Sequence, residues 1–346
     1  MPQPFLRLLS DVYGSVALAR RRWYISHPAS RRRLDRPVIS IGNLSVGGTG
    51  KTPLVAAIAK LLVEMGERPS ILSRGYKRRS GSDEVTIVSD GHSVLADVEH
   101  AGDEPYMLAR AVPESAVVVS TARHAAGRVA ETRLGCTVHL LDDGFQHFRL
   151  ERDIDLLIVT SADRANPYPL PLGRLREPFS VASSADAVFV SAGEVAGDVD
   201  GRPVFQMNRT IDAPRPIPSE IQPSPGEPVS VNLPGPVFAM AGIANPQRFF
   251  DDLQGAGWQL VGTRTFADHH QFSATEIVDV LRAATSAGAK AVLTTEKDVV
   301  RLSRIPNLDP RTPNPEPRIP ILWTPLRVML DPAFAPWLRK HLVRAS

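Results

Sequence analysis

A doubly wound, mainly parallel α/β sheet of P-loop NTPase-like type is the fold class this sequence predicts, with a smaller α/β second domain and an N-terminal amphipathic helix. Three observations carry the prediction. From residue 37 onward, short apolar runs alternate with helix-like segments, the pattern of successive βαβ units. One run, VISIGNLSVGGTGKTPLV at 38–55, passes from a buried-strand pattern into a glycine turn that ends in Gly-Lys-Thr. Further on, eight prolines fall between Pro214 and Pro236, where neither a helix interior nor a central strand can form.

The N-terminal helix comes first. In FLRLLSDVYGSVALARRRWYI the apolar side chains Phe5, Leu8, Leu9, Val12, Tyr13 and Val16 recur at helical spacing and share one face. Residues 1–36 hold eight arginines against Asp11 and Asp35, a local charge of +6 in a chain whose total is +3, so the other residues sum to −3. Arg20 to Arg22 are followed by Trp23 and Tyr24, which favour a membrane–water boundary. The positive charge follows the apolar stretch, the reverse of a secretory signal. Two readings stand: a helix packed on the protein's own core, or an interfacial helix on an anionic membrane surface. A nucleic-acid partner is disfavoured, because no recognition module follows the basic end.

At 346 residues, 43% of them hydrophobic and 22% charged, the chain has enough apolar content to bury a full core. No run of about 20 apolar residues exists to span a bilayer. Cys136 stands alone, which excludes an internal disulfide and a cysteine zinc site and suits a reducing compartment.

Strands are expected at 37–41, 70–73, 116–120, 137–141, 154–159 and 187–191, with helices at 52–65 and 121–134. The predicted division is a basic amphipathic segment at 1–36, a larger α/β domain at 37–213, a proline-rich linker at 214–236, a smaller α/β domain at 237–305, and a proline-rich return and closing segment at 306–346. In the smaller domain the segments 237–241, 246–257, 259–266, 274–287 and 291–295 carry the strand and helix patterns.

The glycine turn has the requirements of a phosphate cradle: backbone amides at a helix N-terminus, glycines for the geometry, a lysine for phosphate oxygens and a hydroxyl for magnesium. Gly47, Gly48, Thr49, Gly50, Lys51 and Thr52 supply them, although Ser45 stands where the strict eight-residue pattern has glycine. The second acidic element is VHLLDDGFQH at 138–147, an apolar strand ending in Asp142 and Asp143; either could be the magnesium-holding carboxylate.

With these motifs in place the chain resembles the tetraacyldisaccharide 4′-kinases of lipid A biosynthesis. The resemblance covers nearly the whole chain and rests on IGNLSVGGTGKTP (41–53), SRGYKR (73–78), AGDEP (101–105), LDDGFQH (141–147), PLGRLREP (171–178), AGIANPQRFF (241–250), FADHHQF (266–272) and TTEKD (294–298). It implies transfer of a phosphoryl group from ATP, with Mg2+, to the 4′-hydroxyl of a lipid-linked disaccharide 1-phosphate, giving lipid IVA. It also implies a peripheral or monotopic enzyme on the cytoplasmic face of the bacterial inner membrane. For the five divisions it implies, in order, a membrane-associating segment, a P-loop kinase domain, a linker, a nucleotide-covering domain and a closing segment. No obligate protein partner is evident.

The same resemblance implies roles. Asp103 is the expected base, Lys51 the charge-neutralising cation and Asp143 a further catalytic group. Thr52, Asp142, Asp143 and Glu177 are expected on the metal side, and Asn43, Arg74, Glu104, Arg123 and His147 on the substrate side. His270 is expected against the nucleotide. In TTEKD the lysine falls one place late for a guanine signature, which argues against GTP. Two alternatives remain from the residues alone: a nucleotide-switched P-loop binding protein, and a soluble small-molecule kinase on the same scaffold.

Overall fold

A computed structural model describes residues 3–75, 78, 84–194, 199, 201–217, 235–303, 305 and 319–345. The chain forms two compact units, residues 1–208 with 328–346, and residues 209–327.

The first unit opens with α1 (Gln3–Ser26) and then follows the βα rhythm. Its elements are β1 (Val38–Asn43), α2 (Lys51–Glu64), β2 (Pro69–Ser73), β3 (Thr86–Asp90), α3 (Val98–Ala101), α4 (Asp103–Ala111), β4 (Ala116–Val119), α5 (Arg123–Leu134), β5 (Val138–Asp142), β6 (Ile154–Ile158), α6 (Ser161–Ala165), β7 (Ala187–Ser191) and β8 (Val204–Ile211). The second unit contributes β9 (Arg215–Pro216), β10 (Val237–Ala241), α7 (Pro246–Gly255), β11 (Leu260–Thr265), α8 (Ala274–Ser286), β12 (Ala291–Thr295), α9 (Glu296–Leu302) and β13 (Ile321–Thr324). The chain then passes through β14 (Leu326–Leu330) into α10 (Phe334–Ala345).

The larger sheet has nine strands in the order β14-β8-β7-β6-β1-β5-β2-β4-β3. β1 sits between β5 and β6 and is parallel to both; the edge strand β3 runs antiparallel to β4. The chain turns from one half of the sheet to the other beside β1, so the crevice beyond the carboxyl ends of β1, β5 and β6 is the switch point where such sheets bind ligands. Ile39 and Ile41 of β1 face Leu54 and Ile58 of α2 in the main core, which Leu108 of α4 and Phe334 and Leu338 of α10 also enter. The opposite face is covered by α5, through Ala126 and Ala130, and by α1, through Leu18.

α1 docks by its small and polar side, which the apolar pattern does not reveal. Ser10 and Arg21 are buried, and Ser10 Oγ donates to the Pro169 carbonyl at 2.7 Å. Gly14 lies against Pro169 and Pro178, where a Cβ would come within 3.1 and 3.2 Å of their rings. Phe5, Leu8, Leu9, Val12, Tyr13 and Val16 point outward, with Leu8 at 60% and Val16 at 63% exposure. Core packing of that face, one of the two readings above, is not what the structure has. Among the described residues no helix is long and apolar enough to cross a membrane.

The second unit is a five-stranded sheet, β11-β10-β12-β13-β9, with α7 on one face through Phe249, Phe250 and Leu253 and α8 on the other through Ile277 and Val280. Its boundaries differ from the sequence expectation. The segment 1–36 and the closing residues from 328 belong to the first unit, because α1 docks on its surface and α10 completes its core. Most of the expected linker, 218–234, and residues 306–318 lie outside the described residues.

Candidate active site

The loop from β1 to α2 is built as its glycines require. Gly47 and Gly50 have φ of 110° and 90°, which side chains other than glycine's resist. A Cβ on Gly47 would lie 2.4 Å from Arg174 Nη2, and one on Gly50 would meet nothing within 4 Å. Gly50 caps α2 without any side-chain hydrogen bond, so the amides of the first turn have no side-chain acceptor at the cap position. The Thr49 hydroxyl is buried with no hydrogen-bond partner.

Lys51 opens α2, and its Nζ donates to Asn43 Oδ1 at 2.7 Å and lies 3.3 Å from Asp143 Oδ1. Asn43, fully buried, donates in turn to the Ser45 carbonyl at 2.7 Å. Asn43, expected on the substrate side, is buried here and ties the end of β1 to the lysine. Ser45 replaces the leading glycine without a gap, since it pairs in a bridge with Leu175.

Asp142 ends β5 and Asp143 begins the turn after it. Asp143 has φ of 54°, an uncommon conformation outside glycine that Asp tolerates better than most. Burial alone would raise its carboxyl, but Lys51 and Arg176 outweigh that and hold it below the ordinary carboxylate range. Arg176 Nη1 donates to both oxygens at 2.9 Å. Asp142 goes the other way: burial, then the carboxylates of Glu104 and Asp143, push its pKa up to about 7 against the pull of Lys51 and Arg123. The buried one of the two acids is thus primed to ionise when positive charge arrives.

Around this pair stand most of the other expected residues. Glu104 acts on Asp142 from the head of α4, where Gly102, with φ of 87°, leads into Asp103 at the first helical position. Arg123 is buried and donates from Nη1 to the Ser120 carbonyl at 2.8 Å, while its Nε has no hydrogen-bond partner. Burial first, with Arg74 and Arg78 assisting, lowers its pKa to about 10 against the pull of Asp142 and Asp143. His147 is brought to about 4 by burial and then by Arg123 and other arginines, so its ring is neutral near pH 7.

Two expectations fare differently. Glu177 is nearly inaccessible at 2% exposure, and both its oxygens accept from Arg21, at 2.8 and 2.9 Å. Glu177, expected on the metal side, is held here in that ion pair. His270, in the second unit, stacks on Phe266 with centroids 5.0 Å apart and bonds Glu276 at 3.0 Å. Its neighbour His269 has φ of 62° and lies 3.3 Å from Lys297 Nζ. TTEKD forms a capped helix start: the Thr295 hydroxyl accepts from the Asp298 amide at 3.1 Å, and buried Asp298 accepts from the Gly242 amide at 3.0 Å.

Arg174 and Arg176 went unremarked in the sequence. Arg174 Nη2 donates to the Val46 carbonyl at 2.7 Å, so both arginines of PLGRLREP touch the glycine loop or its acid. Their position just before Glu177 in a charged, proline-bounded segment was the available signal.

A lysine between a strand-end carboxylate and the mouth of a glycine loop is placed to neutralise a phosphoryl group in transit, and the class so defined is the P-loop phosphotransferases. Comparison with known proteins gives the particular family. The family model for tetraacyldisaccharide-1-P 4′-kinase matches residues 2–343, and the chain belongs to that family. Tetraacyldisaccharide 4′-kinases of Desulfotalea psychrophila and Geobacter metallireducens are similar to it at 37% and 40% identity, covering 85% and 87% of this chain and 86% and 88% of theirs. A crystal structure of LpxK from Aquifex aeolicus in complex with ATP is similar to it at 31% identity and a TM-score of 0.76, covering 100% of this chain and 99% of that one.

Proposed function

We propose that the chain transfers the terminal phosphoryl group of ATP to the 4′-hydroxyl of tetraacyldisaccharide 1-phosphate, working on an anionic membrane surface. The observation that carries the phosphate assignment is the loop itself: two left-handed glycines, an uncapped helix start and a partnerless buried Thr49 hydroxyl around Lys51. Unfilled donors at a helix N-terminus are what a phosphate chain satisfies.

In this reading Asp103 accepts the proton of the acceptor hydroxyl, and Glu104 stands beside it. Lys51 shifts from Asp143 towards the phosphoryl oxygens. Arg123, with a free buried Nε, and Arg74 hold the anionic end of the sugar, and neutral His147 borders them. Thr52 with Asp142 or Asp143 would hold Mg2+, which when bound neutralises charge between the phosphates. The described residues contain no group of three or more His, Cys, Asp or Glu able to hold a metal by themselves. That suits Mg2+, which is usually held by one or two carboxylates and the nucleotide's own phosphates.

Incubation with ATP and detergent-dispersed tetraacyldisaccharide 1-phosphate is expected to give, by mass spectrometry, the lipid with one added phosphoryl group. ATP consumption without any phosphorylated lipid would instead favour the nucleotide switch.

The outward face of α1 supports the membrane assignment. A stripe of six large apolar side chains faces solvent, flanked by Arg20 and by Arg7, whose guanidinium lies 5.6 Å from the Tyr168 ring centroid. Burying each side chain contributes about 1.5–3 kcal/mol. Leu8→Ser with Val12→Ser is therefore expected to weaken sedimentation with phosphatidylglycerol vesicles by roughly tenfold or more. Unchanged sedimentation would remove this face from the account.

A further inference from the structure

We infer that Arg21 of α1 is a positioning residue for the phosphate loop, and that the surface helix is thereby part of the nucleotide site's framework. The inference rests on the proposed reading of the loop as an ATP site. Arg21 is buried at 6% exposure and holds two segments at once.

Its Nε and Nη2 form the fork to Glu177 already described, and its Nη1 donates to Ser184 Oγ at 2.9 Å. Its guanidinium carbon lies 4.5 Å from the ring centroid of Phe145 and 4.9 Å from that of Phe148, close enough for cation–π attraction.

Each segment so gripped is bonded onward to the strand and loop that hold the phosphate. In the first, Phe145 covers Gly42 of β1 so closely that a Cβ on Gly42 would fall 2.5 Å from the Phe145 Cβ. The Gly144 amide donates to the Ile41 carbonyl at 3.1 Å. Asp143, the partner of Lys51, lies between Asp142 and this aromatic anchor. In the second, the Arg176 amide donates to the Leu44 carbonyl at 2.7 Å, and the Val46 amide donates to the Arg174 carbonyl at 2.9 Å. The side chains of Arg174 and Arg176 reach the Val46 carbonyl and Asp143. One guanidinium thus fixes both walls of the loop. A phosphate cradle made of backbone amides depends on sub-ångström placement of its supports.

A helix anchor with no bearing on the site would affect folding alone, so the test separates the two. Arg21→Gln leaves Glu177 buried without its cation and endangers folding. The informative variants are Arg21→Lys, which keeps the charge and loses the fork, and Arg21→Gln combined with Glu177→Gln, which leaves no unpaired charge. Both are made in the full chain, checked by circular dichroism melting, and titrated with a fluorescent ATP analogue alongside steady-state kinetics.

In the folded variants the KM and Kd for ATP are expected to rise about tenfold, the lower end of what losing a partner that orients a ligating group costs. kcat at saturating ATP should fall less than KM rises. Folded variants with wild-type KM and Kd for ATP would overturn the positioning role and leave a simple anchor. A wild-type chain that binds no ATP analogue would overturn the reading of the loop, and this inference with it.

Discussion

Replacement of Asp103 by Asn is expected to lower kcat on the lipid acceptor by about 10²–10⁴-fold, the usual contribution of a positioned base, while ATP binding stays within about twofold of wild type. A sugar hydroxyl is a poor nucleophile while it keeps its proton. Asp103 sits where a carboxylate is favoured, at the first position of α4, near the positive end of the helix dipole. Its neighbour Glu104 already acts on Asp142, so this helix start faces the strand-end acids. Asn keeps the size and the helix start but takes up no proton. Single-turnover measurement with saturating ATP isolates the chemical step, and full turnover by the Asn variant would assign the base elsewhere.

Lys51→Ala carries the second large effect. A fall of about 10²–10³ in kcat/KM for ATP is expected, the scale seen when one preorganised donor to developing charge is removed. Lys51 is the cation between Asn43 and Asp143, so its loss also leaves Asp143 to Arg176. Lys51→Arg is not expected to restore activity, because a planar fork cannot replace a point charge that reaches Asn43 Oδ1 at 2.7 Å. Steady-state kinetics with varied ATP checks both variants. Activity of Lys51→Ala near wild type would mean that the loop lysine does not face the transferred group.

Much of the first unit was legible because its chemistry is local. β1, β2 and β5 are buried along their whole length and β7 along all but its last residue, each around a short apolar cluster, and α2 begins at its Gly-Lys-Thr, so strand, loop and helix follow from short apolar runs and glycine. β8 and β14 were missed. Both alternate inward and outward side chains, as strands half-covered near a sheet edge do, and β14 emerges from a proline-rich stretch. β13 hides there too.

The site divides in the same way. Residues with a motif-bound role, such as Lys51 and the Asp142–Asp143 pair, could be named from the chain. The partner of Glu177 could not, because Arg21 lies 156 positions away in a segment whose charge reads as a basic surface. Which side of α1 docks was equally hidden. The docked side is Ser10, Gly14, Leu18 and Arg21, and no hydropathy pattern marks one leucine among a serine, a glycine and an arginine as a packing face.

The placement of β14 and α10 has a consequence for how the chain comes off the ribosome. Residues 209–327 form their own compact unit, yet Phe334 and Leu338 of the larger core are encoded after all of them. During synthesis the first sheet must wait, with its edge and one hydrophobic surface open, until the whole inserted unit has emerged. That is a long-range closure of the slow kind. Nascent chains halted before residue 328 should therefore depend on chaperones far more than full-length ones do.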